Sequence, residues 1–109
     1  MHISVTGRHI EIQEPIQEYA RDKSGKLERY YDRIERIDVV FEQEQNVSKV
    51  EMVVRADHKN TFVAHADGKD FYGALDLAIG KMERQLTRFK ERMRNRKHPS
   101  RPEKGEVVE

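Results

Sequence analysis

Lysine and arginine side chains recur at helical spacing near the carboxyl end of the chain. Lys81, Arg84, Arg88 and Arg92 stand three, four and four residues apart, which places them along one side of an α-helix. Rows of ammonium and guanidinium groups neutralise phosphates, and arginine adds a two-pronged donor geometry. The spacing therefore predicts a surface for RNA or another polyanion. The alternative is that these charges only keep a helix surface hydrated.

Further cations flank this row. Lys90 lies on the other side of the same helix's apolar stripe, while Lys23, Lys26 and Arg33 fall along one flank of an earlier predicted helix. Two helices that pack on one sheet would bring such flanks together. We therefore expect a basic groove between them.

The distribution of charge supports a polyanion partner. The formal net charge of the chain is only +1. Residues 1–80 carry 11 Lys and Arg against 15 Asp and Glu, whereas residues 81–101 carry nine against two, and residues 102–109 carry one against three. Glu83 and Glu91 are too few to offset the cations around them. Such asymmetry within one chain indicates a partner of opposite charge for the basic segment.

Other kinds of chemistry find little support. The five histidines show no metal-ligand spacing, and the absence of cysteine excludes disulfides and cysteine–metal sites. The chain contains neither a glycine-rich phosphate loop nor a nucleophile paired with a base. Residues 1–5 lack the charged start and apolar block of a signal peptide, and no apolar run is long enough to span a membrane, so we expect neither a leader nor a membrane span. We expect a cytoplasmic protein with no catalysis, metal, cofactor, small-molecule substrate or membrane association.

Hydrophobic periodicity predicts the elements that position the basic row. Alternating apolar residues predict strands, and apolar residues three and four apart predict helices. Strands are expected at residues 2–8, 36–44, 49–56 and 61–66, with helices at residues 15–32 and from Asp70 to beyond Arg92. Pro15 suits the first turn of the first helix, and Asp70 suits the N-cap of the second.

This order predicts an α+β fold, β-α-β-β-β-α. The first two strands, joined through a helix, should pair in parallel by a right-handed crossover, and the remaining strands should be antiparallel. We expect a four-stranded mixed sheet with both helices on one face. Residues 1–95 form the predicted domain, and residues 96–109, rich in charge with Pro and Gly, are expected to be a flexible tail.

A specific resemblance covers residues 1–95. Residues 66–86 read ADGKDFYGALDLAIGKMERQL, which resembles the signature of the ribosome hibernation-promoting factor and ribosome-associated inhibitor A family, once called sigma-54 modulation proteins. The matching residues are Asp70, Tyr72, Ala74, Asp76, Lys81, Arg84, Gln85 and Leu86; Phe71, Gly73 and Met82 depart from the pattern. Two earlier segments also match, at Ile3, Val5, Thr6 and Gly7, and at Lys23, Lys26, Leu27, Glu28 and Tyr30.

The resemblance implies a ribosome-binding function. Family members have the β-α-β-β-β-α fold and bind the small ribosomal subunit and its ribosomal RNA in the channel used by messenger RNA and transfer RNA, which silences idle ribosomes. Basic residues of both helices make the contacts. By position in this chain, they are Lys23, Lys26, Lys81, Arg84, Arg88, Lys90 and Arg92. We expect a monomer when the protein is off the ribosome.

Two other functions remain possible from the sequence. A double-stranded-RNA-binding module contains the helix–strand–strand–strand–helix order but uses a lysine cluster at the start of its last helix. Residues 68–72 offer one lysine beside an aspartate, which argues against such a module. A regulator that binds other proteins through the open sheet face or the tail is the second alternative. The tail does not indicate whether the protein promotes or opposes ribosome dimers.

Overall fold

The computed structural model describes residues 1–95 and confirms the predicted order of elements. In chain order these are β1 (His2–Gly7), α1 (Glu14–Gly25), a 3₁₀ turn (Lys26–Arg29), β2 (Ile34–Glu44), β3 (Val47–Ala56), a second 3₁₀ turn (Asp57–Lys59), β4 (Thr61–Gly68) and α2 (Phe71–Asn95). The predicted tail, residues 96–109, lies outside the described residues.

The four strands form one mixed sheet in the order β1-β2-β3-β4. β1 runs parallel to β2, with Ile3 opposite Ile37 and Val5 opposite Val39. β2 pairs antiparallel with β3, and β3 with β4. The predicted parallel first pair and antiparallel remainder are confirmed.

The core lies between the sheet and the two helices. Ile37, Val39 and Phe41 alternate along β2 with more exposed residues, and all three are completely buried. α2 contributes its predicted apolar stripe, in which Leu75 and Leu86 are fully buried. Both helices therefore cover one sheet face, and the other face remains open.

The first helix ends earlier than the periodicity predicts. A helix over residues 15–32 was expected, but α1 ends at Gly25 and the chain continues as a 3₁₀ turn. Glycine is a poor residue for a helix interior, and the tighter turn that follows still buries Leu27 and Tyr31, the last residues of the predicted stripe. The apolar pattern therefore continues across a change of helix type.

The connection from β4 to α2 fixes where the second helix begins and how close it lies to the sheet. Asp70 caps α2 as predicted, because its Oδ1 accepts a hydrogen bond of 2.7 Å from the Gly73 N–H. Gly68 ends β4 where a Cβ would lie only 2.8 Å from the Ala74 nitrogen. A larger residue would push the start of the helix away from the sheet, so this glycine permits the close approach of α2 to the end of β4.

Candidate nucleic-acid interface

The predicted row of cations lies on the outer side of α2. Lys81, Arg84, Arg88 and Arg92 are all exposed, while Met82 and Leu86 from the same turns are fully buried. Residues at positions i, i+3 and i+4 share one side of a helix, and this side faces solvent because the apolar stripe of α2 is buried against the sheet. The structure confirms the exposure that the spacing predicts.

Within residues 1–95, the cations of α2 lack carboxylate partners. Among residues 1–95, no carboxylate oxygen lies within 4.0 Å of the charged atoms of Lys81, Arg84, Arg88, Lys90 or Arg92. An unpaired guanidinium at the surface can donate hydrogen bonds to a phosphate without first losing an ion pair. The outer side of α2 is thus available to a polyanion.

Lys81 has a second role at the sheet edge. Its Nζ donates a hydrogen bond of 2.7 Å to the His65 carbonyl, and Gln85 Nε2 donates one of 2.7 Å to the Val63 carbonyl. Both acceptors belong to β4, an edge strand with carbonyls that no further strand satisfies. The ammonium group keeps its charge and two remaining donors, so Lys81 both covers the edge and adds to the positive surface.

Arg84 and Arg88 line a hollow beside the first 3₁₀ turn. It has a volume of about 320 Å³, and its other lining residues are Tyr30, Glu83 and Thr87. Tyr30 is half-buried and follows the turn directly. The structure therefore brings two predicted arginines together with an aromatic ring.

Lys90 lies at a second hollow, further along α2. This one has a volume of about 210 Å³ and is lined by Tyr31, Asp32, Arg33, Lys90, Met93 and Arg94. Lys90 and Arg94 of α2 and Arg33, just before β2, therefore surround one depression together with the Asp32 carboxylate. Lys90 therefore belongs to a separate basic site and does not extend the row of Lys81, Arg84, Arg88 and Arg92.

Lys23 and Lys26 line neither of these two hollows. The Lys23 Nζ lies 5.4 Å from the centre of the Tyr19 ring, a cation–π distance, and Lys26 pairs with Asp22 at 3.6 Å. The two hollows therefore stand in place of the expected groove. Their cations come from α2 and from Arg33, and α1 contributes none.

Aromatic residues, rather than cations, join α1 to the first turns of α2. The Tyr19 hydroxyl donates a hydrogen bond of 2.7 Å to Asp76, and its ring meets Tyr72 edge-to-face at 4.9 Å. The hydrogen bond to Asp76, more than burial, raises the pKa of Tyr19. These contacts join the two helices through two tyrosines and one carboxylate.

A second tyrosine, Tyr31, anchors the chain just after the first 3₁₀ turn. The Tyr31 hydroxyl donates a hydrogen bond of 2.7 Å to Asp57, whose other oxygen lies 3.5 Å from Arg33. The hydrogen bond from Tyr31 lowers the pKa of Asp57, as does Arg33, although partial desolvation opposes them. Burial raises the pKa of Tyr31 itself. The network fixes the segment that carries Tyr30 and Arg33.

The open face of the sheet carries charges of both signs in close pairs. Arg8 lies 3.0 Å from Glu42 and 3.5 Å from Glu51, and Lys49 lies 3.3 Å from Glu44. A hollow of about 450 Å³ on this face is lined by both signs of charge. Because three carboxylates outnumber Arg8 and Lys49 in this lining, the hollow offers little attraction for a polyanion.

Two residues of the interface escaped the sequence-based prediction of sites. Tyr30 and Gln85 both belong to matched family patterns, but neither carries a charge. The pattern around Lys26, Leu27, Glu28 and Tyr30 is the signal that could have identified the tyrosine. No signal in the sequence indicates the hydrogen bond of Gln85, because it depends on where β4 lies beside α2.

Residues 1–95 offer neither a metal centre nor a membrane-spanning helix. No group of three or more His, Asp or Glu side chains is placed to hold a metal ion in that part of the chain. None of its helices is long and apolar enough to cross a membrane.

Comparison with known proteins identifies relatives along nearly the whole chain. The family model described as sigma 54 modulation protein / S30EA ribosomal protein matches residues 3–94. The ribosome hibernation promoting factor of Escherichia coli K12 is 36% identical over 100 residues, which cover 86% of this chain and 98% of the relative. The factor of the same name from Azotobacter vinelandii is 30% identical over 102 residues, 94% of each chain.

Structures of related proteins share the fold. A ribosomal subunit interface protein from Coxiella burnetii superposes with a TM-score of 0.78 at 28% identity, covering 84% of this chain and 99% of its own. The N-terminal domain of Protein Y from Thermus thermophilus superposes with a TM-score of 0.73 at 30% identity, covering 82% of this chain and 99% of its own. The β-α-β-β-β-α architecture is therefore shared with both proteins, the first of which is named for the interface of ribosomal subunits.

Proposed function

The chain belongs to the sigma 54 modulation protein / S30EA ribosomal protein family, and we propose that it is a ribosome hibernation factor that binds the small ribosomal subunit and inhibits translation on idle ribosomes. Its binding place is the channel that otherwise holds messenger RNA and transfer RNA. The observation that carries the proposal is the exposed row on α2, where Arg84, Arg88 and Arg92 have no carboxylate partner within residues 1–95.

The proposed mechanism is occlusion without catalysis. Arginines on the outer side of α2 bind phosphates of ribosomal RNA, and the body of the domain then excludes the ligands of translation from the channel. The chain needs no cofactor and no small-molecule substrate for this. It acts in the cytoplasm, where the ribosomes are, and is a monomer when it is not bound to them.

The seven proposed contact residues differ in how freely they can bind RNA. Arg84, Arg88 and Arg92 are unpaired and exposed; Lys81 shares its ammonium group with the edge of β4. The remaining three are Lys23, Lys26 and Lys90, of which Lys26 already pairs with Asp22. We therefore place the main contact on the arginines.

Sedimentation with ribosomes tests the proposal. Purified protein should migrate with vacant small subunits at low salt, and initiator transfer RNA should compete with it. Protein that stays at the top of the gradient would refute ribosome binding. Undisturbed binding of both ligands at once would refute occlusion of the channel.

A free double-stranded-RNA-binding module is a weaker candidate. The start of α2 offers Lys69 next to Asp70, and the Asp70 carboxylate is oriented by its hydrogen bond to the Gly73 N–H. A carboxylate at this position repels the phosphates that such modules bind at the start of their last helix. Naked duplex RNA should therefore bind much more weakly than the small subunit.

A further inference from the structure

The hollow beside the first 3₁₀ turn combines cationic, aromatic and anionic side chains. Arg84 and Arg88 contribute guanidinium groups, Tyr30 contributes an aromatic ring, and Glu83 contributes a carboxylate. Its volume of about 320 Å³ is at the lower end of the range for small-ligand sites, roughly 300–1,000 Å³. The occupant should therefore be small and should have both an anionic and a flat part.

The ring of Tyr30 is held in place before any partner arrives. The Tyr30 N–H donates a hydrogen bond of 2.9 Å to the Leu27 carbonyl, and Leu27 itself is buried. The half-buried ring packs against the core and leaves the rest of its surface at the hollow. A pre-positioned aromatic surface binds a flat ligand with little loss of side-chain entropy.

The charges of the hollow exclude a bare phosphate as the best occupant. Two guanidinium groups would attract it, but the Glu83 carboxylate in the same lining would repel it. A carboxylate instead accepts hydrogen bonds from the amino groups of nucleobases. The complete set suits a nucleotide whose phosphate and base occupy different ends of the hollow.

We infer that this hollow binds one unpaired nucleotide of RNA, with its base against Tyr30, its phosphate at Arg84 and Arg88, and a base amino group donating to Glu83. Single-stranded RNA presents bases that can be splayed out onto aromatic side chains, whereas a duplex does not. The inference rests on the proposed function and deepens it: the basic row recognises an unpaired base as well as phosphates.

A pair of substitutions at Tyr30 separates stacking from charge. Tyr30→Leu keeps an apolar side chain against the core but removes the ring, and Tyr30→Phe keeps the ring. Affinity for vacant small subunits, measured by sedimentation, should fall at least about fivefold in Tyr30→Leu and stay within about twofold in Tyr30→Phe. Equal affinity of Tyr30→Leu and the unchanged protein would overturn the inference. Thermal unfolding followed by circular dichroism verifies that both variants fold.

A titration of the unchanged protein tests the site even if Tyr30→Leu fails to fold. Tetracytidylate and inorganic phosphate are added separately, and amide chemical shifts are followed by NMR. Tetracytidylate should shift the signals of Tyr30, Glu83, Arg84 and Arg88, whereas phosphate should shift those of the arginines without Tyr30. Identical responses to both probes, or shifts spread over the whole domain, would show attraction by charge alone and overturn the inference.

The two proposals fail in different ways. If the unchanged protein does not sediment with small subunits but tetracytidylate shifts the hollow residues, the proposed function fails and the nucleotide site stands. If it sediments and tetracytidylate does not shift the hollow residues, the nucleotide site fails and the ribosome-binding function stands. A loss of ribosome affinity in folded Tyr30→Leu without a response to tetracytidylate would point to a protein contact and overturn the nucleotide site.

Discussion

The outer side of α2 and the open face of the sheet are both exposed and both rich in basic residues, but they differ in how many of those residues pair with carboxylates. On the sheet, Arg8, Arg36 and Lys49 each lie within 3.3 Å of a carboxylate oxygen. On α2, Arg84 and Arg88 have no such neighbour among the described residues. Arg55 on the sheet is also exposed and lacks a carboxylate within 4.0 Å among residues 1–95, so the surfaces differ in that α2 presents a row of such cations.

The two surfaces also differ in what their charges do for folding. Each ion pair on the sheet contributes little to the free energy of unfolding, but the contribution is stabilising. The row on α2 places Arg84 four residues before Arg88, and Arg88 four before Arg92, an arrangement that costs an isolated helix about 0.2–0.5 kcal/mol per pair. A fold that tolerates this cost at one surface has a use for the unpaired charge there.

The largest effect should come from removing two arginines of the row. Arg84→Gln together with Arg88→Gln should lower affinity for the small subunit at least about 100-fold, because each charge-assisted hydrogen bond contributes about 1.5–3 kcal/mol. The slope of log affinity against log salt should also become shallower, by about 0.7–0.9 for each phosphate that the variant no longer binds. Sedimentation at several salt concentrations measures both quantities.

The matched control removes the same charge from the open sheet face. Arg36→Gln with Arg55→Gln changes two exposed arginines that face each other in adjacent strands. Affinity should change by less than about threefold, as expected for rim charges far from the contact. Equal losses from the two double variants would mean that the ribosome attracts the domain by its overall charge, and the contrast between the surfaces would disappear.

An intermediate effect is expected at Lys81. Lys81→Met removes one cation and the hydrogen bond to the His65 carbonyl. Affinity for the small subunit should fall about two- to fivefold, and the free energy of unfolding should fall by about 0.5–1.5 kcal/mol. Chemical denaturation measures the second quantity. Unchanged stability with a loss of binding as large as that of Arg84→Gln would show that Lys81 acts on RNA alone.

A smaller effect concerns stability in acid. Interactions with Tyr31 and Arg33 lower the folded-state pKa of Asp57 below its ordinary value of 3.8, so the ionised carboxylate stabilises the fold above that value. This contribution should be lost as the pH falls through the lowered folded-state pKa. The difference in unfolding free energy between the unchanged protein and Asp57→Asn should be constant near neutral pH and shrink in acid. A difference that persists unchanged at the lowest pH would contradict this assignment.

The smallest effect is expected at Lys26. Its ammonium group is already paired with Asp22, both side chains are exposed, and the residue lines neither hollow beside α2. Lys26→Gln should leave affinity for the small subunit within about twofold, since exposed pairs of this kind contribute at most about 1 kcal/mol. A decrease in affinity comparable to that of Arg88→Gln would extend the interface onto α1.

Periodicity in the sequence predicted most of the fold. Strict alternation at Ile37, Val39 and Phe41 predicts a strand, and the spacing of Leu75 and Met82 predicts the helix α2. The end of α1 at Gly25 was missed, because apolar residues continue at nearly helical spacing through the 3₁₀ turn. A change of helix type leaves little trace in a hydrophobic pattern.

The interface could be predicted only in part. The exposed side of α2 follows from spacing alone, so Arg84 and Arg88 were found. The hydrogen bond of Lys81 to β4 and the position of Tyr30 beside the arginines depend on how distant segments pack. Sequence spacing describes one element at a time and therefore does not report such neighbours.

A cryo-electron microscopy map of the protein on vacant small subunits tests the central claim most directly. We predict density for the domain in the channel of messenger RNA and transfer RNA, with Arg84 and Arg88 against phosphates of ribosomal RNA. The open sheet face, with its paired charges, should point away from those phosphates. A domain bound elsewhere on the subunit, or one bound through the sheet face with α2 in solvent, would contradict the proposed function of the basic row.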